Sequence, residues 1–190
     1  MSAPLSVFNN VSVDGYFTGP GGDLSWAHAS VPDPEFDAFV GQNASGGGRL
    51  LLGRKTYDMM AAWWPTEAAR GAAPEVADGM NRMTKIVFSR TMDRAEWSHT
   101  RVMNTDIAAA VQGLKEDGGE GMTILGSGTI VAQLAQAGLI DEYQVVVNPV
   151  VLGRGRTMFD GIERPPPLAL LEARSFPGGK VVLRYAPRST

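Results

Sequence analysis

Short apolar blocks recur along the chain, and polar, glycine-rich or proline-rich segments separate them. The blocks of strand length are residues 5–11, 49–52, 84–89, 122–125 and 141–147. Helical patterns occupy most of the intervals between them, at residues 34–44, 55–62, 74–83, 106–116 and 128–137. This alternation predicts parallel strands that are joined by crossover helices.

The helix predicted at residues 34–44 has the clearest start signal. Phe36, Phe39 and Val40 recur at helical spacing and define one apolar face. Asp33 is suited to cap the helix, and Pro34 suits the first helical position because no backbone donor is needed there. A helix is therefore expected after the glycine-rich loop at residues 12–26.

The C-terminal pattern lacks this alternation. Residues 168–176 and 180–185 predict two strands that a Pro-Gly-Gly turn at residues 177–179 joins into a hairpin. The predicted fold class is therefore α/β, with a mostly parallel sheet, an antiparallel C-terminal edge and helices on both faces. Because no repeat or linker interrupts the pattern, residues 1–190 are predicted to form a single domain.

Composition narrows the classes of function. The 190 residues carry a net charge of −3, so a basic surface for nucleic acid is not expected. The absence of cysteine excludes disulfides and thiolate sites, and two histidines are too few for a dedicated metal site. No apolar run reaches membrane-spanning length, and the N-terminal residues do not have a signal-peptide pattern. We expect a cytoplasmic protein with neither nucleic acid nor membrane as a partner.

The segment Gly-Ser-Gly-Thr at residues 126–129 lies between a predicted strand and a predicted helix. A helix start offers free N–H groups to an anion, and glycine lets a phosphate approach the backbone closely. A tight turn without a ligand explains this motif alone equally well. A Rossmann motif is disfavoured because Val131 occupies the third glycine position. A P-loop is excluded because Gly-Lys-Ser/Thr is missing.

Two more polar clusters accompany predicted strands. Gly-Arg-Lys-Thr-Tyr at residues 53–57 follows one strand, and Ser-Arg-Thr at residues 89–91 ends another. Taken alone, the first cluster is also compatible with a solvated basic helix end, and the second with a polar strand exit. However, ligands of open α/β sheets bind outside the carboxyl ends of the strands. The three clusters together therefore indicate a ligand that contains phosphate.

These three segments, in this order and spacing, resemble the dihydrofolate-reductase superfamily. Residues 11–15 (Val-Ser-Val-Asp-Gly), 138–142 (Gly-Leu-Ile-Asp-Glu) and 149–153 (Pro-Val-Val-Leu-Gly) resemble its riboflavin-biosynthesis reductase branch. The resemblance spans nearly the whole chain. It implies a three-layer sandwich with a sheet of about eight strands, NADPH as the cofactor, and a homodimer.

The resemblance also implies a set of cofactor-binding residues. The implied cofactor-binding residues at the first and third clusters are Gly53, Arg54, Lys55, Thr56, Leu125, Gly126, Ser127, Gly128, Thr129 and Ile130. Of these, residues 54–56 and 126–129 are implied to hold the cofactor's phosphates. Ser89 and Arg90 are implied to contact the adenosine 2′-phosphate, which favours NADPH over NADH because a guanidinium matches a phosphate well. Val11 and Ser12 are implied to lie beside the nicotinamide.

In folate reductases a carboxylate on the first helix contacts the pterin, sixteen positions before the glycine of the Gly-Arg-x-Thr segment. Counting back from Gly53 gives Asp37, which the resemblance therefore implies to be the catalytic acid. A solvent-facing role for Asp37 stays open, and Asp33 and Glu35 are neighbouring acids that could serve equally. A buried Asp37 would have a raised pKa and could donate a proton.

Three further residues are candidates for contact with a small-molecule substrate. Asp14 begins a loop that the resemblance implies to lie over the site, and Trp26 is a candidate for apolar cover, with loop packing as the alternative. Trp63, with its neighbour Trp64, is a candidate for the substrate mouth or for a partner surface. The alternative for this pair is core packing of one and partial exposure of the other. The leading hypothesis is an NADPH-dependent reductase of a small heterocycle that is pyrimidine-like, pterin-like or flavin-precursor-like. The alternative is a non-catalytic protein on the same fold that binds a nucleotide or a drug.

Overall fold

The computed structural model describes residues 2–28 and 31–188, and within these residues eight strands form one sheet. The strands are β1 (Leu5–Ser12), β2 (Arg49–Gly53), β3 (Thr84–Phe88), β4 (Thr100–Met103), β5 (Met122–Leu125), β6 (Glu142–Asn148), β7 (Leu168–Ser175) and β8 (Val181–Pro187). Their order is β4-β3-β2-β5-β1-β6-β8-β7. The strands from β4 to β6 are parallel, whereas β8 and β7 are antiparallel. The predicted fold class is confirmed.

The described residues also form six α-helices. They are α1 (Pro34–Ser45), α2 (Arg54–Trp63), α3 (Glu67–Ala72), α4 (Pro74–Arg82), α5 (Ile107–Glu116) and α6 (Gly128–Gln136). Asp33 caps α1 as predicted, because its side chain accepts a hydrogen bond from the backbone N–H of Phe36 at 3.1 Å. Within the described ranges, none of these helices is long and apolar enough to cross a membrane.

Two short elements were not predicted from the sequence, α3 and β4. Helix α3 has six residues and too few apolar positions to show a period, and the Thr66 hydroxyl caps it by accepting from the backbone N–H of Ala69. Strand β4 has four residues and pairs only with β3 at the edge of the sheet. Both elements depend on tertiary packing that their own sequence does not encode.

Successive residues of each central strand point to opposite faces of the sheet, and helices cover both. On one face, α5 and α6 pack against Leu5, Val7 and Ile124. On the other face, α2 and α4 pack against Leu50 and Leu52. Helix α1 lies on this second face as well, above β6 and β8.

Aromatic side chains dock α1 towards the C-terminal side of the sheet. Phe36 and Phe39 contact Phe176, with ring centroids 5.2 Å and 5.5 Å from it. They also pack with Val146 and Val182 on β6 and β8. The apolar face predicted for α1 thus packs against β6, β8 and the C-terminal hairpin. This leaves a cleft between α1 and the central strands.

A buried lysine closes the end of α4. Lys85 on β3 donates hydrogen bonds from Nζ to the carbonyl oxygens of Met80 at 2.9 Å and Asn81 at 3.0 Å. Its ammonium also lies 4.3 Å from the ring centroid of Trp97. A cation at a helix C-terminus is stabilised by the carbonyl groups that have no partner within the helix. Lys85 therefore satisfies two carbonyl groups at the α4–β3 junction, although burial disfavours its charged form.

The stability of the protein is expected to depend on the protonation of Lys85. Burial lowers its pKa from 10.5 to about 8, so above pH 8 the folded chain releases a proton that the unfolded chain keeps until about pH 10.5. The free energy of unfolding should therefore rise between pH 8 and pH 9.5, by up to about 2 kcal/mol relative to Lys85→Met. Urea unfolding of both proteins measures this difference. Parallel pH profiles for the two proteins would contradict the expectation.

Candidate functional site

The carboxyl ends of the parallel strands meet at one edge of the sheet. Strand β2 leads into α2 there, and β5 leads into α6. Because β3, β2 and β5 are neighbours, the three predicted phosphate clusters lie side by side. This juxtaposition is what the sequence predicted for a ligand site at the carboxyl edge.

Hydroxyl groups join the start of α2 to the start of α6. Ser127 Oγ accepts a hydrogen bond from the backbone N–H of Gly53 at 2.7 Å. The Thr56 hydroxyl lies 3.0 Å from Ser127 Oγ and accepts from the Ser127 N–H at 3.2 Å. Both hydroxyl groups were predicted to bind the cofactor. In the structure they hold the two helix starts in a fixed relative position.

Asn9 is a buried residue of this junction that the sequence analysis missed. Its side-chain amide donates to the carbonyl oxygen of Gly126 at 3.0 Å and accepts from the N–H of Gly126 at 2.6 Å. Only 3% of Asn9 is exposed. An asparagine in the middle of an apolar strand was the available signal, because such a side chain needs partners when it is buried.

The starts of α2, α4 and α6 lack the side-chain cap that α1, α3 and α5 have. Side chains of Asp33, Thr66 and Asp106 cap α1, α3 and α5, and α4 begins with a proline. Neither Gly53 before α2 nor Ser127 before α6 makes a side-chain cap. The first N–H groups of these two adjacent helices are therefore suited to a bound anion.

Gly126 brings the backbone unusually close to α2 at this point. Its φ is +61°, and a Cβ atom there would lie 2.7 Å from Thr56 Cγ2. Only glycine fits both this conformation and this space. Gly126 thus lets α2 and the start of α6 lie close together, and the two uncapped helix starts fit the diphosphate of a dinucleotide such as NADPH.

Cationic side chains surround the same edge. Arg54 donates to the Thr91 hydroxyl at 2.7 Å and lies 3.5 Å from Asp58. Lys55 and Arg90 are exposed to solvent. These cations can neutralise phosphate groups at the helix starts.

Ser89 is buried directly after β3. Its hydroxyl accepts hydrogen bonds from the backbone N–H groups of Thr91 at 3.2 Å and Met92 at 3.1 Å. Ser89 thus shapes the turn that presents Arg90. Its predicted contact with a 2′-phosphate stays a prediction.

The exit of β1 is tied to a distant loop. The buried Ser12 hydroxyl accepts from the N–H of Tyr16 at 2.9 Å. The Asp14 carboxylate accepts from the N–H groups of Leu152 at 3.1 Å and Gly153 at 2.7 Å. Hydrogen bonding to the Ser12 hydroxyl and to these N–H groups lowers the pKa of Asp14 to about 2. Asp14 thus anchors its loop, and its predicted substrate contact stays a prediction.

A cleft of about 780 Å³ lies between the central strands and helices α1, α2 and α4. Its polar floor was not predicted, and it consists of Ser6, Asn10, Thr123 and Gln144. The hydroxyl groups of Ser6 and Thr123 lie 3.0 Å apart. Polar residues at alternate positions of apolar strands were the signal for this floor. They give the cleft hydrogen-bonding groups for a polar ligand.

The predicted substrate residues differ in their relation to the cleft. Asp37 on α1 is exposed and lines the cleft. Ala27 and Trp64 line the cleft. Their neighbours Trp26 and Trp63 are not among the described lining residues. Trp26 donates from its indole N–H to the carbonyl oxygen of Asp23, and Trp63 is 45% exposed. Trp64 is therefore the tryptophan that a ligand in the cleft would meet.

Residues 4–182 match the family model described as the RibD C-terminal domain. The chain belongs to this family. Uncharacterized protein YyaP of Bacillus subtilis is 27% identical over 175 residues, which cover 92% of this chain and 90% of YyaP. The family assignment agrees with the resemblance seen in the sequence.

Solved structures show the same fold as this RibD C-terminal domain. A protein of Shewanella sp. PV-4 that is described as a riboflavin biosynthesis protein superposes with a TM-score of 0.74 at 20% sequence identity. The match covers the whole of both chains. The diaminohydroxyphosphoribosylaminopyrimidine deaminase/5-amino-6-(5-phosphoribosylamino)uracil reductase of Thermotoga maritima superposes with a TM-score of 0.68 at 13% identity. The match covers 98% of this chain and 57% of the Thermotoga protein. The two superpositions show that the chain shares the fold of these proteins.

Proposed function

We propose that the protein is an NADPH-dependent reductase of a small heterocycle. One observation carries the proposal: Thr56 and Gly126, at the two uncapped helix starts, also line the cleft that contains Asp37. A dinucleotide held by its diphosphate at this junction would have its reactive ring beside the cleft. The family and the fold of its neighbours support the same function.

One group of residues binds the dinucleotide, and another contacts the substrate. The backbone N–H groups at the starts of α2 and α6, with Arg54 and Lys55, bind the diphosphate, and Arg90 binds the 2′-phosphate. The bound dinucleotide supplies the hydride. Helix α1 covers the substrate and limits water, and Asp37 assists protonation of the reduced ring.

A titration with NADPH and with NADH tests this proposal. Because Trp64 lines the cleft, its fluorescence is expected to change when either dinucleotide binds. Tighter binding of NADPH than of NADH supports the proposal. No saturable change with either dinucleotide would overturn it.

A non-catalytic binding protein on the same fold is the second candidate. The observation in its favour is that Asp37 is exposed, whereas an acid used in catalysis is commonly held by its surroundings. Turnover separates the two functions. Oxidation of NADPH that depends on an added heterocycle supports the reductase, and binding of both ligands without oxidation supports the binding protein.

We also propose that the protein forms a homodimer through the C-terminal strands. On the face opposite α1, the half-buried side chains of Val145, Val147, Val181 and Leu183 form an apolar patch on β6 and β8. Edge strand β7 adds Leu170, which is 56% exposed. An apolar surface of this kind suits a second copy of the chain. Light scattering should give twice the mass of 20.3 kDa, and a monomer would contradict the proposal.

A further inference from the structure

Lys180 is a buried cation at the carboxyl edge of the sheet that the proposed chemistry has not yet used. Only 5% of the residue is exposed, and it lines the same cleft as Asp37. It directly precedes β8, whose first residue Val181 pairs with Val147 near the end of β6. Lys180 is thus held close to the strand ends where the reactive ring of a dinucleotide is expected.

The ammonium group of Lys180 has few partners among the residues that the structure describes. It donates one hydrogen bond, to the carbonyl oxygen of Ala27 at 3.2 Å, and lies 4.7 Å from the ring centroid of Phe36. No carboxylate of the described residues is within ion-pairing distance. The nearby carboxylate of Asp33 is already used, because it accepts from the N–H groups of Phe36 at 3.1 Å and Gly178 at 2.6 Å.

This arrangement leaves hydrogen-bonding capacity that a ligand can use. An ammonium has three donors, and a buried donor without an acceptor is costly. Burial lowers the pKa of Lys180, and the charges of Asp37 and Asp33 oppose this effect. Within residues 2–28 and 31–188, two N–H groups of the ammonium therefore remain for an acceptor that enters the cleft.

Asp37 supplies the complementary group at the same end of the cleft. Its charge acts on Lys180, yet the two side chains do not form an ion pair. Neighbouring His28 also lines the cleft, and burial together with the charge of Lys180 lowers its pKa, which favours the neutral form. A donor and an acceptor thus line the same cleft without forming an ion pair with each other.

We propose that Lys180 determines substrate specificity by donating to a ring carbonyl oxygen whose neighbouring ring N–H donates to Asp37. The substrate class is then a heterocycle with a cyclic amide edge, as in an oxo-pyrimidine or an oxo-pteridine. A ring with an amino group in place of that carbonyl would present a donor to a donor and bind poorly. This inference rests on the proposed function, because it assigns the substrate of the same cleft.

The test compares two matched probes that differ at the proposed contact. Pterin has the 4-oxo group beside an N3–H group, whereas 2,4-diaminopteridine has an amino group beside an N3 that carries no hydrogen. Binding of each to wild type, Lys180→Met and Lys180→Arg is followed by fluorescence, with and without NADPH. Lys180→Met should weaken pterin binding about tenfold or more and leave diaminopteridine binding unchanged. Lys180→Arg, which keeps a cationic donor, should retain part of the affinity for pterin.

Equal losses for both probes, or no loss for pterin, would overturn the role of Lys180. Thermal unfolding checks that Lys180→Met is folded. If that variant does not fold, the affinities of the wild-type protein for the two probes test the inference instead. Tighter binding of pterin supports it, and equal or tighter binding of diaminopteridine overturns it. Failure of the reductase proposal is recognised separately, because NADPH titration uses neither probe.

Discussion

Replacing Gly126 by alanine is expected to reduce the free energy of unfolding by about 3 kcal/mol and to abolish tight cofactor binding. The residue has a φ of +61°, which costs an alanine about 1 kcal/mol. The new Cβ would lie 2.7 Å from Thr56 Cγ2 and 2.8 Å from Thr56 Oγ1, so the Thr56 side chain must move. That movement breaks the contacts between Thr56 and Ser127 that fix the two helix starts. Urea unfolding and NADPH titration measure the two effects.

Gly138→Ala is the matched control for this substitution. Gly138 has a similar φ of +67°, but a Cβ there would meet no atom within 4 Å. The Gly138→Ala variant should lose only about 1 kcal/mol of the free energy of unfolding, and it should bind NADPH as tightly as wild type. If the two variants lost equal stability and kept equal affinity for NADPH, the close approach of Gly126 to Thr56 would have no special role.

Arg90→Ala is expected to weaken NADPH binding by roughly tenfold to a hundredfold and to change NADH binding little. The two dinucleotides differ by the 2′-phosphate, and a charge-assisted hydrogen bond contributes about 1.5–3 kcal/mol. Arg90 is exposed directly after β3, beside the start of α2. Its guanidinium can therefore reach a phosphate outside the sheet edge. Titration of both dinucleotides against wild type and variant gives the four affinities.

Arg82→Ala is the matched control for Arg90→Ala, because it makes the same change in net charge away from the proposed phosphate contact. Arg82 ends α4 and precedes β3, so it lies at the opposite end of that strand from Arg90. Its loss should leave the ratio of NADPH to NADH affinity unchanged. Equal weakening of both dinucleotides by Arg90→Ala would remove the 2′-phosphate role assigned to it.

Several features of the site followed from local sequence because local chemistry determines them. Asp33 was identified as the cap of α1 from residue type and position, and the structure has that hydrogen bond. The turn at residues 126–129 was located by its glycines between an apolar strand and a helical pattern. Asp37, by contrast, was implied by the family resemblance and not by local chemistry, and it lines the cleft. Its catalytic role stays a prediction.

Other features could not be predicted because they join distant parts of the chain. The pairing of Asn9 with Gly126 spans 117 positions, and the hydrogen bond from Lys180 to Ala27 spans 153. Trp64, and not Trp63, lines the cleft. Adjacent residues at a helix end point in directions about 100° apart, and sequence alone does not determine the rotation of the helix.

The sequence by itself determined the fold class, the hairpin at the C-terminal edge and the three polar clusters after strands. Periodicity and turn residues encode these features through short-range backbone preferences. Only the tertiary structure decided that Ser127 and Thr56 bind each other, that Asp14 anchors a loop, and that Lys180 faces the cleft. The partners of a polar side chain depend on which strands become neighbours. That arrangement is decided by the packing of the whole chain.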